Sequence, residues 1–213
     1  EMAVQTAVVT DDGDMVLLGD LEGRVRLWLP LANSLQPLAG GHAMRVTRVA
    51  VSSDRKLLLS AAYTDENVKD FGQPLLLWDL ITGKVLRSLA GQHRIVRDVA
   101  LSADGRHALS GSDDGVVRLW DVASGQEMRR FDAGAGEVWA VAFDRQAARI
   151  ASGHQDMTAR VWSAATGEEL LRLAGHTGEV RSVAFDPGGT HLLTASADGT
   201  VRSEWRKPAP HVT

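Results

Sequence analysis

A chain of 213 residues with 44% hydrophobic and 23% charged side chains is ordinary for a soluble globular protein and long enough to bury a sizeable core. The absence of cysteine excludes disulfides, thiolate metal sites and a cysteine nucleophile together, and it fits a cytoplasmic setting. No apolar run approaches the ~20 residues that span a bilayer and no basic-then-apolar leader precedes the first repeat, so no membrane is expected. A net charge of −4 with dispersed arginines argues against a nucleic-acid partner.

A pattern ending in an apolar residue and tryptophan recurs at Trp28, Trp78, Trp120 and Trp162, separated by 50, 42 and 42 residues, with a fifth copy at Trp205 after 43 more. A period near forty, each copy reading as four short apolar runs, predicts an all-β propeller segment built of small sheets. The expected blades are 1–40, 41–90, 91–132, 133–174 and 175–213, the last degenerate.

Taken in chain order, the first copy begins inside a loop and carries Leu18 and Glu22 where later copies have serine and aspartate. The second holds His42, Ser60 and Trp78, and an insertion from Tyr63 to Pro74, including Phe71, accounts for its longer spacing. Long surface insertions cost little loop entropy, so a tolerated loop and a binding rim both remain open readings. In the third, strands are predicted over Val96–Leu101, Ala108–Gly111 and Val116–Asp121, bounded by the turns Asp104-Gly105, Asp114-Gly115 and Ser124-Gly125. The fourth repeats them over Val138–Phe143, Ile150–Gly153 and Thr158–Ser163. In the fifth, Trp205 lies one residue late, which would turn it to the other face of its strand, and Pro208 and Pro210 then disfavour a regular fourth strand.

One irregularity recurs in every full copy. Val96, Val99 and Leu101 are spaced by three and then two residues, as are Val46, Val49 and Val51, then Val138, Val141 and Phe143, then Val180, Val183 and Phe185. Residues three apart on a strand face opposite sides, so a β-bulge in the first strand of each blade is predicted to keep all three buried.

With Gly41-His42 and Gly175-His176 opening two copies, and Trp78-Asp79 and Trp120-Asp121 closing two, nearly the whole chain resembles the WD-repeat family of β-propellers. The resemblance implies a structural network inside each blade. In the third copy it would link His93, Ser110, Asp114 and Trp120; the second offers His42, Ser60 and Trp78, the fourth Ser152, Asp156 and Trp162 without a leading histidine, and the fifth His176. His-Ser-Asp sets repeated from blade to blade read as mutual satisfaction of buried polar groups, not as a protease triad, which needs an accessible nucleophile and oxyanion donors. The histidines stand one or two per blade without a clustered ligand set, so neither metal nor cofactor is expected. Arg26, Arg118 and Arg160, each two residues before a tryptophan, read as structural, with Leu76 breaking the series.

The resemblance also implies that the loops entering the first strand, and those joining the second to the third, open on one face, the top. Carried onto this chain, that face comprises Arg45 and Thr47, Ile95 and Arg97, Glu137 and Trp139, Glu179 and Arg181, with Asp113, Gln155, Tyr63 and Phe71 at its rim. Trp139 stands where other copies have Gln5, Thr47, Arg97 and Arg181. A large aromatic at a place the repeat leaves free has the composition of an interaction hot spot, although a tryptophan packed under a loop would read the same way. The expected function is a non-enzymatic scaffold for a protein or peptide partner, with self-association through open blade edges as a further expectation. The alternative is a regulatory module of a larger protein, such as a bacterial kinase, whose activity lies elsewhere.

Overall fold

The computed structural model describes residues 3–64, 72–91, 94–134 and 136–205. Among them every regular element is a strand, grouped in five antiparallel sheets that follow the chain in order. The first blade is β1 (Val4–Val9), β2 (Val16–Asp20), β3 (Val25–Leu29) and β4 (Ser34–Pro37). The second is β5 (Val46–Val51), β6 (Leu57–Ala62), β7 (Leu75–Asp79) and β8 (Lys84–Ser88), and the third β9 (Val96–Leu101), β10 (His107–Ser112), β11 (Val116–Asp121) and β12 (Glu127–Asp132). The fourth is β13 (Val138–Phe143), β14 (Arg149–His154), β15 (Ala159–Ser163) and β16 (Glu169–Leu173). The fifth has three described strands, β17 (Val180–Phe185), β18 (His191–Ser196) and β19 (Val201–Trp205).

The inner strands β1, β5, β9, β13 and β17 pack against one another in succession, and among the described residues no such packing joins β17 back to β1. The array is therefore open, with Val4 and Val9 exposed at one end and Leu193 and Val201 at the other. Each inner strand carries the expected bulge. The register slips between Val4 and Thr6, Val46 and Arg48, Val138 and Ala140, and Val180 and Ser182, and opposite Gly111 and Ser112 it slips between Asp98 and Val96. Left over in the five bulges are Gln5, Thr47, Arg97, Trp139 and Arg181, one unpaired residue per blade.

The core lies between sheets. Trp78 packs with Leu17, Val25 and Leu27 of the first blade, and Trp120 with Leu59, Leu75 and Leu77 of the second. Trp162 meets Leu109, Val117 and Phe131 of the third, its ring centroid 5.8 Å from that of Phe131. Among the described residues the fourth interface closes with Ala140, Ala151, Val161, Val183 and Leu192. In the strand register Leu192 pairs with Glu204, and Trp205 falls opposite His191, the place Asp121 holds opposite His107.

Small residues set the spacing of neighbouring blades. A Cβ on Gly19, Gly111 or Gly153 would fall within 3.0 Å of Val46, Val138 or Val180, the first residue of the next inner strand; the second blade has room there for one methyl group, on Ala61. At Gly153 the obstacle is backbone, the Val180 oxygen at 2.6 Å, whereas at Gly111 it is a Val138 methyl group at 2.7 Å. We expect Gly153→Ala to lower stability in urea unfolding by about 1–3 kcal/mol, and by more than Gly111→Ala, because a side chain can turn aside and a carbonyl cannot. Equal losses at both positions would contradict this account of the spacing.

Candidate functional site

Three buried serines organise the blade interiors. In the second blade the Trp78 indole N–H donates to Ser60 Oγ at 2.7 Å, and Ser60 Oγ lies 2.7 Å from His42 Nε2. His42 Nδ1 lies 3.0 Å from the Gln73 carbonyl. Burial holds the His42 pKa down at about 4 against the pull of that carbonyl, so the ring is neutral at pH 7. A neutral ring that donates from Nδ1 must accept at Nε2, which orders the chain as indole to hydroxyl to imidazole to carbonyl.

The third blade keeps the Trp120 to Ser110 bond at 3.0 Å, while His93 lies outside the described residues. The fourth differs from the sequence reading. Its lost leading histidine is replaced by His154, whose Nε2 lies 2.7 Å from Ser152 Oγ, itself the acceptor for Trp162 at 2.8 Å. In the fifth, His176 bridges Thr194 at 2.8 Å and Asp198 at 2.9 Å. Ser60, Ser110 and Ser152 are fully buried and present no oxygen to a substrate. Trp28, whose blade has Leu18 in the serine's place, is 37% exposed.

The turn aspartates serve a second recurrent device. Asp114 pairs with Arg118 at 2.7 Å, and Asp156 with Arg160 at 2.9 Å. Each of these buried arginines also reaches the outermost strand, Arg118 to Glu127 at 3.3 Å and Arg160 to Glu169 at 3.1 Å. Arg26 pairs instead with Asp20, two residues before the Glu22 that stands in the turn aspartate's place, at 3.3 Å. The arginine series is thus a set of clips within blades, to which Asp114 and Asp156 each contribute a carboxylate. Burial works against ionisation of Asp114, but the hydrogen bonds and charge of Arg118 prevail and hold its pKa below the usual range.

Most of the top-face residues come together. The bulge residue Trp139 lies between two guanidinium groups, Arg97 at 4.4 Å from the ring centroid and Arg181 at 5.0 Å. Arg97 pairs with Asp113, one contact at 2.8 Å, and reaches Glu137 at 3.3 Å; Arg181 pairs with Glu179 at 2.9 Å. Burial disfavours the Arg97 charge, yet the Asp113 hydrogen bond and the fields of Asp113, Glu137 and Glu179 outweigh it and raise its pKa further. Gln155 accepts from the Glu137 amide at 3.4 Å. Across the face, Arg45 stacks on Tyr63 at 4.1 Å. Phe71 lies outside the described residues. A cavity of about 340 Å³ opens where Gln5, Thr47, Arg97 and Trp139 converge, with Arg45 and Tyr63 on its wall.

One residue of this region escaped the sequence reading. Asp98 on β9 accepts the Val141 amide from the next blade at 2.9 Å and pairs with Arg48 of the preceding blade at 3.5 Å, so one carboxylate spans three blades. Its only signal in the sequence is an acid amid the hydrophobic run of an inner strand.

The array of sheets with one bulged inner strand per blade defines a β-propeller segment. The chain belongs to the WD-repeat family: the model described as WD domain, G-beta repeat matches residues 83–121, 125–163 and 167–203, more than half of its length. The first match starts before β8 and ends with β11, so the sequence repeat straddles two blades and ties each outermost strand to the blade that follows. The small ribosomal subunit protein RACK1 of Dictyostelium discoideum is 36% identical over 84 residues, which cover 37% of this chain and 23% of that relative. The chain therefore aligns with less than a quarter of this relative.

Burial raises the Asp98 pKa from 3.8 to about 6, against the opposing pull of the Val141 amide and Arg48. A carboxylate held above its unfolded value binds its proton more tightly when folded. Its stabilising contribution is full below pH ~4 and is lost as pH rises through about 6. Asp98→Asn keeps an acceptor for Val141 and removes the ionisation, so we expect a gain of about 1–3 kcal/mol at pH 7.5 that shrinks towards pH 4.5. A variant less stable than wild type at both pH values, in urea unfolding, would show that the Arg48 pair dominates.

Proposed function

We propose that the protein is a non-catalytic interaction scaffold that binds a protein partner on its top face, around the cavity bordered by the bulge residues. The observation that carries this reading is the divergence of the bulge residues within a repeated frame. Inner-strand valines, core tryptophans and clip arginines recur, whereas the bulge position holds Gln5, Thr47, Arg97, Trp139 and Arg181 in turn. Trp139 is half-buried between two arginines that are themselves held by Asp113, Glu137 and Glu179. An aromatic so fixed loses little freedom on binding, which is the property of an interface anchor. Its indole N–H is out of solvent and has no acceptor among the described residues. The cysteine-free composition supports a cytoplasmic setting for this scaffold.

Affinity capture from cell extract with the full-length protein tests the reading. Trp139→Ala is expected to weaken capture about thirtyfold, the effect of losing an anchor of about 2 kcal/mol, and to lower the melting temperature by only a few degrees. Normal capture by a folded Trp139→Ala protein would place the partner on another surface, and early unfolding would make Trp139 a packing residue.

A further inference from the structure

We infer that the cavity at the top face receives an acidic side chain, aspartate or glutamate, from an extended segment of the partner, with Arg45 as the receiving cation; this rests on the top-face reading above. Three of the residues lining the cavity are arginines, Arg45, Arg48 and Arg97, and among the described residues no carboxylate lines it. The three cations are differently committed. Arg97 is held in a two-point pair with Asp113 and also reaches Glu137, and Arg48 has Asp98 at 3.5 Å. Arg45 is exposed, stacks its guanidinium on Tyr63 at 4.1 Å, and makes no ion pair among the described residues.

Stacking on a ring fixes the guanidinium plane while leaving its edge donors free, which suits a planar carboxylate taken by two parallel hydrogen bonds. The rest of the wall matches the same ligand. Gln5 and Thr47 are polar and uncharged, and Ile95 and Tyr63 give apolar surface for the methylene groups of a glutamate. The Trp139 ring also lines the cavity. A volume of about 340 Å³ admits one side chain with its flanking backbone and leaves the acids Glu137 and Glu179 outside, where they would repel further negative charge. The polarity of the face, basic at Arg45 of the second blade and charge-compensated over the third, fourth and fifth, therefore also orients the segment.

The test titrates a short fluorescently labelled oligoglutamate peptide, and its oligoglutamine counterpart, against the full chain by fluorescence anisotropy. Oligoglutamate is expected to bind, to weaken with rising salt, and to lose about tenfold in affinity in Arg45→Gln, with partial recovery in Arg45→Lys. Arg130→Gln, which removes an exposed cation from outer strand β12, is expected to leave binding unchanged. Because Arg45 is exposed, Arg45→Gln is expected to melt with the wild type. Equal binding of both peptides, equal binding by Arg45→Gln, or an equal loss in Arg130→Gln would overturn the acidic-ligand assignment. Capture by Trp139→Ala is read independently, so a failed peptide titration beside a lost capture would leave the top face standing and remove only its acidic specificity.

Discussion

Everything at the top face depends on the β-bulge in the first strand of each blade. An unbulged strand alternates strictly, so three inward residues spaced by three and two could not share one face. The bulge resolves that conflict by letting one residue leave the ladder. Val46, Val96, Val138 and Val180 stay buried at the blade junctions, and Thr47, Arg97, Trp139 and Arg181 are released to the central opening. Packing constrains the valines, while the released residues are free to vary. The fold thereby separates what must repeat from what can differ.

Blade integrity comes from two polar devices added to this frame. The tryptophan-serine-histidine chain keeps buried indole and imidazole groups satisfied, and the arginine clip ties the turn after the second strand to the outermost strand. Both occupy interior or lateral positions, which leaves the top face to the bulge residues and their acids. Variation among blades follows from place in the array. Trp28, with no preceding blade among the described residues to pack on, is 37% exposed, and at the fourth interface, where Glu204 takes the tryptophan's register position, the described core closes with alanine and valine.

The sequence made the fold legible because its signals are local and repeated: the tryptophan period, the turn glycines, and the three-then-two spacing that marks the bulges. The grouping of Trp139 with Arg97 and Arg181 was legible for the same reason, since equivalent positions in adjacent blades are neighbours on the axis. What escaped it were contacts that break the repeat's equivalences. His154 enters its serine's environment from the end of β14, not from the leading loop, so no alignment of copies would pair it with His42 or His176. Asp98 is bound by blades on both sides: Arg48 is its equivalent in the preceding blade, so that pair was open to the same reasoning, whereas the bond to the Val141 amide joins positions one residue out of step. The arginine partners of Asp114 and Asp156 were each four residues away on the next strand, visible in the sequence as a structural series but not matched to those aspartates.

The central claim is that the bulge residues form the binding surface. The direct measurement is amide hydrogen exchange of the full-length protein with and without its captured partner. This account expects new protection confined to residues 45–48, 95–98, 137–140 and 179–182, with the outermost strands β4, β12 and β16 unchanged. Protection concentrated on those outermost strands, with the bulge segments unaffected, would contradict it.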